Sequence, residues 1–71
     1  MFIVAKCIKN YKDKNGNDFS LMLTEMGENF AVKHLYSQVI PEPDGKYICN
    51  VKPAQYNGKA FLAYDVNRKL S

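Results

Sequence analysis

The sequence predicts an all-β domain of five short antiparallel strands. Three observations carry this. Turn signals recur at short intervals, the segments between them alternate with period two, and no segment has a convincing capped helical stripe. At 71 residues the chain reads as one domain, 1–71, with no room for a second.

Four turn signals divide the chain: Asp13 to Asp18, Met26 to Asn29, Pro41 to Gly45, and Tyr56 to Lys59. Two of them contain Asn-Gly, at Asn15-Gly16 and Asn57-Gly58. That pair supplies the positive φ angles that tight hairpins need.

The first strand is expected from Phe2 to Lys9, rich in β-branched and apolar residues. In the second, Phe19, Leu21 and Leu23 alternate with Ser20, Met22 and Thr24, so parity reads Phe19 as core. The third sets Phe30, Val32, His34 and Tyr36 against Ala31, Lys33 and Leu35; Phe30 shares a face with Val32 and reads as core. Tyr36 to Ile40 is read as a short helical turn before Pro41. In the fourth, Tyr47, Cys49 and Val51 alternate with Ile48, Asn50 and Lys52. The fifth sets Ala60, Leu62, Tyr64 and Val66 against Phe61, Ala63 and Asp65. Tyr47 and Tyr64 read as core or interface, and Phe2 and Phe61 as core. A long first strand with Lys6 and Lys9 within it fits a strongly curved strand. The expected architecture is therefore a five-stranded antiparallel Greek-key barrel, OB-fold-like. An SH3-like barrel is the structural rival.

A chain this short buries little surface and gains from a staple or a partner. Cys7 and Cys49 both sit in apolar, strand-like runs, and no secretory pattern opens the sequence, so free thiols in a reducing cytoplasm are expected. No apolar run approaches the ~20 residues of a membrane helix. Self-association is the expected source of added stability.

The net charge of +3 is unevenly spread. Lys6, Lys9, Lys12 and Lys14 outnumber Asp13 near the start. Lys46, Lys52, Lys59, Arg68 and Lys69 outnumber Asp65 near the end. Between them Lys33 stands against Asp18, Glu25, Glu28, Glu42 and Asp44. If the two ends meet, they form a positive surface for a polyanion; solvated lysines are the plainer explanation.

Nothing in the chain favours an enzyme. His34 is the lone histidine and reads as a strand residue. Ser20, Ser37 and Ser71 lack a nucleophile-elbow context, and Cys7, Cys49 and His34 cannot complete a zinc site. The four glycines are isolated, so no phosphate-cradling loop forms. No cofactor, metal or small-molecule substrate is expected.

Aromatic residues are more telling. Five tyrosines and four phenylalanines stand among the lysines, with no tryptophan. Bases stack on flat side chains beside a basic groove, at roughly 1–3 kcal/mol per base. Tyr11 lies between Lys9 and Lys12, and Tyr56 sits at a hairpin tip with Lys59 just beyond. The residues thus point to single-stranded nucleic acid. A small β-barrel protein-interaction module, or a phage-encoded inhibitor of a host protein, is the alternative.

Three stretches resemble the filamentous-phage single-stranded-DNA-binding proteins of the gene-V type. They are Gly16-Asn17-Asp18-Phe19-Ser20-Leu21, Met26-Gly27-Glu28-Asn29-Phe30-Ala31-Val32-Lys33, and Gly45-Lys46-Tyr47-Ile48 followed by the Asn57-Gly58 hairpin and Phe61-Leu62-Ala63-Tyr64-Asp65. The resemblance implies an OB-like barrel, a homodimer, and non-specific coating of single-stranded DNA during phage DNA replication in the host cytoplasm. Some members of that family also bind RNA. It implies base contacts by Phe19, Leu21 and Phe30, a basic contact at Lys33, a DNA-reaching hairpin flanked by Tyr56 and Lys59, and a further basic contact at Arg68. Lys12 and Lys14 stand where the family has arginines, and complete the expected interface. The chain is shorter than the family before Gly16 and between Lys33 and Pro41.

Overall fold

The computed structural model describes residues 1–70, apart from the side chain of Tyr36. Five strands follow one another: β1 (Phe2–Lys12), β2 (Asp18–Thr24), β3 (Asn29–Lys33), β4 (Lys46–Tyr56) and β5 (Lys59–Lys69). A single 3-10 turn, His34–Tyr36, follows β3. The strands form one antiparallel sheet in the order β3-β2-β1-β4-β5. The hydrogen-bonded ladder is open, with β3 and β5 at its edges.

Local chemistry explains the hairpins. The Asp13 carboxylate accepts hydrogen bonds from the Asn15 and Asn17 backbone N–H groups, both at 2.9 Å, which closes the β1–β2 turn. Those bonds, the Asn17 backbone first, hold the Asp13 carboxyl below its usual range. At the β4–β5 tip both Asn57 (φ 52°) and Gly58 (φ 79°) are left-handed, as a tight two-residue hairpin requires.

Strand β1 does two jobs. Phe2 to Lys6 pair with β4, and Ala5 to Lys12 pair with β2. Between Cys7 and Lys9 the β2 register shifts, leaving Ile8 as the extra residue of a bulge. A bulge bends and twists its strand. It also resets the alternation: Ala5 and Cys7 face inward before it, and Asn10 pairs with buried Ser20 after it.

The core comprises Ala5, Cys7, Met22, Val32, Tyr47, Cys49 and Val66, with Ile3, Phe30, Val39 and Tyr64 packed against it. Burying a side chain such as Met22 or Val32 contributes roughly 1.5–3 kcal/mol. The buried Tyr47 hydroxyl accepts a hydrogen bond from the Glu42 N–H at 2.8 Å. Phe30 of β3 stacks on Tyr64 of β5 with centroids 4.3 Å apart, drawing the two sheet edges together. The connecting segment ties to β5 through Gln38 N–H to Val66 C=O (2.9 Å) and Val66 N–H to Ser37 Oγ (3.2 Å).

Several sequence expectations are corrected. On β2 the buried residues are Ser20 and Met22, so Phe19, Leu21 and Leu23 lie on the outer face, half-buried. A hydroxyl in the core satisfied by neighbours outweighs the apolar pattern there. Phe2 and Phe61 are 64% and 48% exposed, because their strand positions turn them away from the core. Strand β3 stops at Lys33, and the helical turn covers His34 to Tyr36 rather than starting at Tyr36. Both outer hairpin strands also run further than their apolar cores, to Tyr56 and from Lys59.

Candidate nucleic-acid interface

The outer face of β1, β2 and β3 carries three cross-strand rows. The first is Tyr11, Phe19 and Lys33; the second Lys9, Leu21 and Ala31; the third Lys6, Leu23 and Asn29. Directly opposed residues place their Cβ atoms about 4.5–5.5 Å apart, so the members of each row are adjacent. In the first row Tyr11 and Phe19 stack, with centroids 5.7 Å apart and planes 16° from parallel. Lys9 Nζ lies 5.9 Å from the Tyr11 ring centroid, within reach of a cation–π attraction. The result is an aromatic pair with a lysine on either flank and leucines beside it.

A part-buried polar cluster centred on the buried Ser20 lies beneath this face. Asn10 Nδ2 donates to the Pro41 carbonyl at 2.8 Å, which orients its amide. Asn10 Oδ1 then accepts from Ser20 Oγ at 2.5 Å and from the Cys7 thiol at 3.5 Å. Ser20 Oγ is also 2.7 Å from His34 Nε2. Serine has one hydroxyl proton, and Asn10 takes it, so His34 Nε2 must be the protonated nitrogen and the donor. A nucleophilic serine needs the reverse, with the histidine accepting the hydroxyl proton. The cluster therefore works as a brace joining β1, β2, the 3-10 turn and the segment at Pro41.

The thiols are inert by environment. Burial raises the Cys7 thiol, opposed by its contact with Ser20, and burial pushes Cys49 up to about 11, helped by the Asp65 charge. Both cysteines are free and buried. Among the described residues no group of three His, Cys, Asp or Glu is placed to hold a metal ion. No helix there is long and apolar enough to cross a membrane.

The residues expected from sequence fall into separate places. Phe19, Leu21 and Lys33 come together on the outer face. Lys12 pairs with Asp18 at 2.9 Å on the other side of the hairpin end, and Lys14 sits exposed in the turn. Phe30 is on the core side, opposite Met22, and does not join Phe19. Tyr56 and Lys59 face each other at the exposed β4–β5 tip, with Tyr56 71% exposed. Arg68 is exposed on the outer face of β5, opposite Ile48.

Tyr11 and Lys9 complete the face and were not among the expected contacts. Their signal was present in the sequence. Tyr11 and Phe19 are equidistant from the Asp13–Asn17 turn, so a hairpin closed there must pair them. Comparison with protein-family models, curated proteins and solved structures finds no match for this chain.

Proposed function

We propose that this protein is a non-enzymatic, single-stranded-DNA-binding protein that coats the strand without sequence preference, as in phage DNA replication. The observation that carries this is the outward-facing Tyr11–Phe19 stack with Lys9 and Lys33 in adjoining positions. Rings supply a surface that any base can stack on, and the cations meet the phosphates. The strand order and the Phe30–Tyr64 contact between sheet edges support a Greek-key, OB-type barrel closed by side chains. On this reading the chain is a gene-V-like protein.

A homodimer fits the unburied apolar surface. Met1, Phe2, Met26, Phe61 and Leu62 are all exposed, and a second copy of the chain could cover part of this apolar surface. Three of these residues, Met1, Met26 and Leu62, also line an apolar depression, which favours the second reading, a protein-interaction module. This depression, lined by Ile3, Met26, Phe30, Leu62 and Tyr64, with Glu25 and Glu28 at its margin, is a place for an apolar, basic segment of another protein.

Fluorescence anisotropy separates the two. Titration with a labelled single-stranded oligonucleotide, its RNA counterpart and its duplex, at low and high salt, should give tight binding to the single strand. That binding should weaken with a log–log salt slope of about −0.7 per phosphate neutralised. A folded sample that binds no oligonucleotide at low salt would reject the nucleic-acid reading and leave the interaction module.

A further inference from the structure

We infer that the bound strand does not end at the aromatic pair but continues across the sheet's outer face onto a phosphate-binding cluster formed by Lys6, Lys46 and Arg68. The inference rests on the single-strand reading and extends it to Lys6 and Lys46.

Lys6 and Lys46 are directly opposite each other in the β1–β4 ladder. Like charges placed so are destabilising in a sheet. Arg68 faces Ile48, two residues along from Lys46 on the same side, which makes it a diagonal neighbour about 7–8 Å away. All three point outward, since the alternating positions Ala5, Tyr47, Cys49 and Val66 are buried.

Two bulges produce this alignment. The shift at Ile8 turns Lys9 and Tyr11 to the outer face. A second shift, between Ile48 and Cys49 in the β4–β5 pairing, makes Asn67 the extra residue and turns Arg68 outward. Bulges commonly re-aim side chains in this way. Here both leave a cation on one continuous surface.

The cluster is only partly neutralised. Asp44 lies 3.6 Å from Lys6, an exposed and therefore weak pair that a phosphate can displace. Glu25 lines the same shallow depression as Lys6 and Lys46. Lys46 and Arg68 have no carboxylate partner among the described residues.

A path from Lys33 through Phe19, Tyr11 and Lys9 to Lys6, Lys46 and Arg68 crosses all five strands. Four inter-strand steps of about 4.8 Å and five residues of about 3.3 Å along β1, from Tyr11 to Lys6, make the path roughly 35 Å long on the sheet surface. Rings at one end and separated cations along the rest suit a flexible polyphosphate chain whose bases stack at the ring end.

The test compares oligothymidylates of about 4 and about 16 nucleotides, the range of site sizes for small single-strand-binding barrels. Lys6→Gln with Lys46→Gln should reduce the salt slope on the long strand by about 1.4 and leave the short strand unaffected. Phe19→Ala should weaken both lengths, and Lys69→Gln, which removes a charge on the core-side register, should change neither. Lys46→Gln relieves the Lys6–Lys46 repulsion, so its melting temperature should not fall, and a binding loss then reports contact rather than folding. An unchanged slope on the long strand, or an equal loss on both lengths, would overturn the extension while the single-strand reading stands. Failure of the unaltered protein to bind either length would overturn both.

Discussion

Tyr11 and Phe19 stack across the β1–β2 ladder, one ring from each side of the Asp13–Asn17 turn, and both face away from the core. The arrangement depends on Ile8. Without the extra residue of that bulge, strict alternation from Ala5 and Cys7 would turn Tyr11 inward.

Replacing either ring tests the site. Tyr11→Ala or Phe19→Ala should each weaken single-strand affinity by about 1–3 kcal/mol. The rings touch, so the double variant should lose less than the sum. Anisotropy titrations paired with thermal melts check this. A ring whose removal changes neither affinity nor melting has no place in the interface.

Phe30 should behave differently from Phe19. It packs on Tyr64 and against the core, half-buried. Phe30→Ala should cost about 2 kcal/mol of stability, below the ~3–5 kcal/mol of a fully buried phenylalanine, and leave affinity intact. Urea unfolding reads the first quantity and anisotropy the second. Lost affinity at unchanged stability would move Phe30 into the interface.

Ser20→Ala should destabilise the fold by about 1–3 kcal/mol, because Asn10 Oδ1 and His34 Nε2 lose their short partner. Equilibrium unfolding measures it. A cost near zero would mean that the brace is solvated or replaced by a water.

Cys49 sets a pH dependence at the alkaline end. Its folded thiol titrates at about 11 against an ordinary 9.0, so between those values the unfolded chain has lost a proton that the folded chain keeps. Stability from this group is present below pH ~9 and is lost as pH rises through about 11. Urea midpoints at pH about 8 and about 10 should differ less in Cys49→Ala than in the unaltered protein; equal differences would contradict the assignment.

Gly45 has a steric reason. A Cβ there would sit 2.9 Å from Tyr47 Cε1 and 3.2 Å from the Glu42 carbonyl oxygen. Tyr47 is fully buried and its hydroxyl is held by the Glu42 N–H, so it cannot swing away. Gly45→Ala should therefore cost about 1–3 kcal/mol, read as a lowered melting temperature. An unshifted melt would show that the Pro41–Gly45 loop yields instead.

Turn chemistry and period-two patterning in the sequence determined five strands and their hairpins, because Asn-Gly turns and alternation act locally. Phe19, Leu21 and Lys33 were singled out through the family resemblance alone, since the alternation of β2 by itself read Phe19 as core; the β2–β3 pairing is what sets them on one outer face. The tertiary structure alone decided which face each residue took. Alternation shows that two faces differ but does not say which is inside, and on β2 a hydrogen-bonded serine with Met22 displaced the more apolar Phe19, Leu21 and Leu23 from the core. The bulges at Ile8 and Asn67 then reversed parity partway along β1 and β5, placing Tyr11, Lys9 and Arg68 on the outer face. A bulge arises where a strand must bend between two sets of neighbours. That demand comes from the whole sheet, so no local pattern of residues announces it.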